Sequence, residues 1–284
     1  VVTGGFYMLH KIEAMPFRIL NLISVIVMIT ANIVFEILPL NGISTAQVSN
    51  AHDTILTPPG FTFSIWGIIY LWLLLGGLYQ IGLFHAQKDA DNPDLIYAVK
   101  SLIPVVCVID IIWLVMWHYE LLLLSLLVIV LLWIALVFLY LRLLPEIRTM
   151  KERLFLLCPI SIFLAWISAA SLLNLTVFIH DLSSDMFGLG MLPWSIAVLL
   201  ILFAISEIFI IKYADYVFGL TSVWAFAGII TRFFSAGEES SNLMIMVVLA
   251  SFLAGMLLLS LAIRALSRHK AKLAQITSTR NMHH

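Results

Sequence analysis

Charge is what this chain has least of. Asp, Glu, Lys and Arg make up 11% of its 284 residues, against 62% apolar residues. Soluble domains carry roughly 25% charged and about 45–50% apolar residues, so a mean hydropathy of +1.08 excludes that class and leaves an integral membrane protein. The net charge of −1 offers no clustered basic face, which removes nucleic acid as a partner. Cysteine is nearly absent too. Cys107 and Cys158 each sit inside an apolar run, so neither a disulfide framework nor a thiolate metal site is indicated. His52, His118 and His180 share no helix face, so they form no recognisable metal site. The chain lacks His-Glu-x-x-His, Gly-x-Ser-x-Gly, a phosphate loop and paired carboxylates within a span, and nothing marks it as an enzyme. No polar segment is long enough to form a soluble domain.

What is there is a series of apolar runs. About 20 residues of helix cross the ~30 Å hydrocarbon layer, and runs of that order occur at 17–38, 61–84, 97–117, 121–144, 154–178, 191–211, 214–234 and 243–264. The first is too long for a signal-peptide core and reads as a mature span. Lys and Arg accumulate in cytoplasmic loops. On an eight-span reading fourteen of the fifteen basic residues fall on one side, and only Arg232 falls on the other. The expectation is therefore an all-α, polytopic protein of eight transmembrane helices in the cell membrane, with both termini cytoplasmic.

Topology then sets depth, at ~1.5 Å per residue. Pro58-Pro59 gives an extended approach to a helix starting near Gly60, where Phe63, Trp66 and Tyr70 share one face at i, i+3 and i+7. Trp66 lies roughly 8 Å below the outer surface, Asp110 on the third span roughly 10 Å, and Asn174 on the fifth roughly 6 Å. Trp113 is one turn above Asp110, and Trp166 is deeper, roughly 18 Å down. If these faces converge they line an apolar, aromatic pocket with a few polar groups; the bland alternative is packing between helices. For Asp110 the two readings are a ligand- or proton-binding group and an acid held by hydrogen bonds for packing, since an ionisable group in a span normally faces the bundle interior. Trp117 reads as an interfacial belt residue, and Glu207 as an interfacial partner of Lys212.

These residues resemble the TspO/MBR family, the tryptophan-rich sensory proteins related to the mitochondrial translocator protein. The resemblance rests on three pieces in order. They are the Pro-Pro, aromatic, Trp66-to-Tyr70 pattern; Asp110-Ile-Ile-Trp113 where the family has Asn followed by Trp; and Leu164-Ala165-Trp166 through Leu173-Asn174. It implies a TspO-like five-helix bundle over residues 17–180. Beyond it lie three additional helices over 181–266 and a basic cytoplasmic tail over 267–284, making the chain an extended member. It further implies that Trp66, Tyr70, Asp110, Trp113, Trp166 and Asn174, joined by Phe63 on the same aromatic face, bind a planar hydrophobic ligand, a porphyrin, tetrapyrrole or sterol-like molecule, in a sensory or transport role. No cofactor is required, although a haem-like ligand fits the resemblance. The partners expected are the bilayer, a hydrophobic small molecule and a second copy as a possible homodimer. Two other classes stay open: a proton-coupled secondary transporter using Asp110, and a structural membrane subunit.

Overall fold

The computed structural model describes residues 2–52, 54–83, 99–236 and 241–281, with side chains over 15–52, 54–83, 99–232 and 241–271. Among the described residues there are helices and turns but no strand. The helices are α1 (Val2–Ile37), α2 (Thr45–Ala51), α3 (Ile65–Gln80), α4 (Leu102–His118), α5 (Leu122–Leu143), α6 (Cys158–Leu182), α7 (Met191–Tyr213), α8 (Tyr216–Ala236) and α9 (Ser241–Asn281). Six segments are long and apolar enough to cross a membrane; they begin at Met15, Gly60, Leu122, Met150, Met191 and Ser241. Two shorter apolar helices, Leu102–His118 and Tyr216–Arg232, stand where the third and seventh spans were expected.

Helix α1 turns its polar side chains inward and leaves apolar ones outward. On α1 the buried stripe is Arg18, Asn21, Val25, Met28 and Asn32, while Ile19, Ile23, Ile26, Val27 and Ile33 are exposed. That inversion is what a lipid solvent selects, because polar groups on the lipid face would find no hydrogen-bond partner. At one end of the stripe the Asn21 amide donates to Gln80 Oε1 at 2.8 Å, and Arg18 donates to the Gln80 carbonyl at 3.3 Å, tying α1 to the end of α3.

Helix α6 is the centre. Every residue from Pro159 to Ala169 is buried. It packs on α3 and α5 on one side and on α7 and α8 on the other, while α1 bridges α3 and α4, and α4 meets α5. Helix α9 covers α7 and α8. Polar pairs join these faces: Ser125 to Asn174 at 2.7 Å, Trp133 to Ser168 at 2.9 Å and Ser206 to Ser222 at 2.7 Å. Asp215 lies in the link between α7 and α8. Its Oδ2 accepts from Tyr140 on α5 and Ser161 on α6, both at 2.7 Å, and its Oδ1 caps α8 by accepting from the Phe218 N–H at 3.0 Å.

Before α6 the chain passes through a π-helical turn, Arg153–Leu157. The cause is Pro159, which has no N–H to offer the carbonyl four residues back, at Phe155. Helix α3 uses the displaced backbone: Trp72 donates to the Leu154 carbonyl at 2.8 Å, and the Phe155 carbonyl comes within 2.4 Å of where a Cβ on Gly76 would stand.

Two expectations are corrected. Trp117 is not a belt residue: α2 covers it, it is buried, and its indole donates to the Thr45 carbonyl at 3.2 Å. Glu207 accepts from Ser260 of α9 at 2.8 Å, while the Lys212 ammonium lies over the Tyr213 ring at 5.1 Å. The interfacial Glu207–Lys212 pair is thus replaced by a contact between helices, because the Ser260 hydroxyl faces Glu207 at its own level.

The close contact at Gly76 yields a test. Gly76→Ala forces the backbone of α3 or of the π turn to move, so it destabilises the protein by about 1–3 kcal/mol. Gly255→Ala, where a Cβ meets nothing within 4 Å, leaves the thermal unfolding midpoint in detergent unchanged or raised.

Candidate functional site

Pro59 adopts an extended conformation at φ −62° and ψ 153°, the chain then makes a 3-10 turn over Gly60–Ser64, and α3 begins at Ile65. This start is held from α8. Trp224 donates to the Thr62 carbonyl at 3.0 Å, and Arg232 donates to the Thr57 carbonyl at 2.9 Å. The Phe61 ring meets Trp224 edge-on, with centroids 5.9 Å apart. The aromatic helix therefore starts from a fixed backbone.

Its aromatic face is a continuous stack. Trp66 lies over Tyr70 with centroids 5.4 Å apart and 25° between planes, and over Trp113 of α4 at 6.2 Å and 28°. Trp113 continues the stack to Trp117 at 6.4 Å. From α6, Phe163 and Trp166 meet Trp66 edge-on at 5.9 and 6.2 Å, and Phe63 meets Trp166 edge-on at 6.1 Å. Aromatic pairs of this kind add about 0.5–1.5 kcal/mol each beyond burial, which makes the stack a stiff wall.

Beside the wall a hydrogen-bond chain runs through three helices. The Tyr70 hydroxyl donates to Asn32 Oδ1 at 2.7 Å. The Asn32 amide donates to Asp110 Oδ2 at 2.9 Å and to the Met28 carbonyl at 2.9 Å. Asp110 is fully buried. Its Oδ1 and the indole nitrogens of Trp113 and Trp166 have no hydrogen-bond partner.

In front of the wall, between α1 and α3, is a cavity of about 600 Å³. Phe63, Trp66, Tyr70 and Trp113 form its aromatic side; Asn32 and Glu36 of α1, Thr45 of α2 and Ser64 of the 3-10 turn supply its polar groups. Ile33, Ile37, Gly60 and Gly67 complete the mouth, where a Cβ on either glycine would meet nothing within 4 Å. Those α1 and α3 positions are exposed, so the cavity opens sideways between the two helices.

Of the expected set, four residues line this cavity. Trp166 and Asn174 lie on the other side of Trp66, around a separate void of about 30 Å³, which suits a water molecule rather than a ligand. Asn174 is engaged there by Ser125. Asp110 lines neither space and reaches the cavity only through Asn32 and Tyr70. No group of three or more metal-ligating side chains occurs among the described residues. His52 instead meets Glu120 at 3.0 Å, and His118 is buried with Nδ1 at 2.8 Å from the Leu114 carbonyl.

Asn32 and Glu36 were not among the expected site residues, yet they carried two signals. An amide within an apolar span must find a partner, and Glu36 lies one helical turn further along the same side. On α3 the small residues Gly60, Ser64 and Gly67 fall beside the aromatic face, and an empty strip next to aromatic rings is what leaves room for a ligand.

No curated protein and no solved structure matches the chain. The family model described as TSPO-like protein matches residues 18–263. That range takes in the Pro-Pro start of α3, all three aromatic-bearing helices and the helices α7 and α8 that follow them. On a match covering most of its length, the chain belongs to the TSPO-like protein family.

Proposed function

We propose that this is a membrane ligand-binding protein that takes a planar hydrophobic molecule, of tetrapyrrole or sterol-like shape, into the cavity between α1 and α3, in a sensory or transport role. The observation that carries the reading is the cavity of about 600 Å³ against the Trp66–Tyr70–Trp113 stack. Sites for small organic ligands typically span roughly 300–1,000 Å³, with mostly apolar walls and few polar groups. A flat molecule gains by lying on the stack, and the sideways mouth lets it arrive from the acyl chains. Membership of the TSPO-like family supports a ligand-binding or sensory class. The protein acts in the cell membrane with both termini in the cytoplasm, as the distribution of its basic residues suggests.

A second reading rests on the chain from Tyr70 through Asn32 to Asp110, which connects the cavity to a buried carboxyl group. A site of this kind can couple ligand movement to a proton. Asp110→Asn separates the two: under coupling, it abolishes pH-dependent flux in proteoliposomes while binding persists, and under simple binding there is no pH-driven flux to lose.

Occupancy is tested with a side chain that fills the cavity without disturbing the fold. Gly67→Leu, at a position with open space, weakens binding of a planar fluorescent ligand about tenfold or more, equivalent to ~1.4 kcal/mol. Its unfolding midpoint stays at the wild-type value; unchanged affinity places the ligand elsewhere.

Tyr70→Phe removes the hydroxyl that satisfies Asn32. It leaves a buried amide oxygen without a donor and lowers stability by about 1–3 kcal/mol. Thermal unfolding in detergent reads the loss, and Ile68→Leu, at an exposed position that takes no part in the hydrogen-bond chain, is the comparison.

A further inference from the structure

The charge of the cavity restricts what it can hold. Its described lining contains one carboxylate, Glu36, and no Lys, Arg or His. A second acid, Asp110, lies behind Asn32. Glu36 Oε2 accepts from the Thr45 N–H at 3.3 Å, which fixes the carboxylate at the mouth without adding a cation. Arg232 is turned to the Thr57 carbonyl, and His52 is taken up by Glu120.

The rings of Phe63, Trp66, Tyr70 and Trp113 line the cavity and bring no charge of their own. A carboxylate lying on these rings would meet the Glu36 charge with no cation in the described lining to pair it. An ammonium would meet a carboxylate and the hydroxyl oxygens of Tyr70 and Ser64.

We propose that the cavity selects a cationic amphiphile, a flat apolar body bearing one ammonium group, with Glu36 as the residue that sets the charge preference. The ring body lies along the Trp66–Tyr70–Trp113 stack and the ammonium sits at the mouth beside Glu36. Ligands whose polar end is carboxylate, including free-acid tetrapyrroles, are disfavoured; neutral ones are accepted. This rests on the cavity being the ligand site, as proposed above, and adds the sign of the ligand's charge.

The test uses one ring system in three charge states: pyrenebutyl-trimethylammonium, pyrenebutanol and pyrenebutyrate. Each is titrated into the full-length protein in zwitterionic lipid nanodiscs, with energy transfer from tryptophan to pyrene as the readout and empty nanodiscs subtracted. The ammonium binds about tenfold more tightly than the carboxylate, a difference of ~1.4 kcal/mol. Glu36→Gln, at an exposed position and with an oxygen kept for the Thr45 N–H, brings the two within about threefold, or ~0.7 kcal/mol. Equal or tighter binding of the carboxylate, or a preference untouched by Glu36→Gln, overturns the charge assignment. If pyrenebutanol binding then remains sensitive to Gly67→Leu, the cavity stands as the ligand site. Failure of all three probes to respond to Gly67→Leu overturns the site itself.

Discussion

The chain from Tyr70 through Asn32 to Asp110 is the constraint on which the site depends. In an apolar surrounding each of these polar groups would cost several kcal/mol unpaired. The amide of α1, the phenol of α3 and the carboxyl of α4 therefore have to meet at one level. Once they do, Trp66 and Trp113 are brought face to face, and α1 is held against α3 at its polar stripe while its neighbouring face stands off. The cavity is the space that this arrangement leaves beside Gly60, Ser64 and Gly67.

The remainder of the bundle keeps that arrangement stiff. Helix α6 fills the centre with a buried run from Pro159 to Ala169, and Phe163 and Trp166 brace the back of Trp66. The three C-terminal helices contribute at both ends. Asp215 joins the α7–α8 link to α5 and α6. Trp224 and Arg232 hold the segment that leads into α3. A ligand that pushed on the Pro58–Thr62 segment would therefore be felt by α8, a physical route from the proposed site to a separate group of helices.

Much of this was legible in the sequence because lipid imposes simple rules. Apolar length located six long helices and the two shorter ones, α4 and α8, the Pro58-Pro59 pair marked the approach to α3, and rise per residue put Trp66, Tyr70, Asp110, Trp113, Trp166 and Asn174 in one layer. What the sequence left open was rotation about each helix axis. Helix α6 is buried all round between Pro159 and Ala169 and shows no one-sided apolar stripe, so nothing in its pattern said that Trp166 and Asn174 turn toward a void on the far side of Trp66. Asp110 stands at the level of Tyr70 but lies one hydrogen bond behind the cavity, because Asn32 of α1 comes between them. Trp117 sat at a depth typical of belt residues; only the short helix α2, which folds back over it, takes it out of the interface.

The central claim is that ligand lies between α1 and α3 against the Trp66–Tyr70–Trp113 stack. Photolabelling with a diazirine-bearing planar amphiphile, followed by peptide mapping, tests it most directly. The account predicts that label competed away by excess unmodified ligand falls within residues 32–37 of α1 and 60–70 of α3. Competed label confined to α7–α9, or label spread evenly over the lipid-facing surface and resistant to competition, would contradict it.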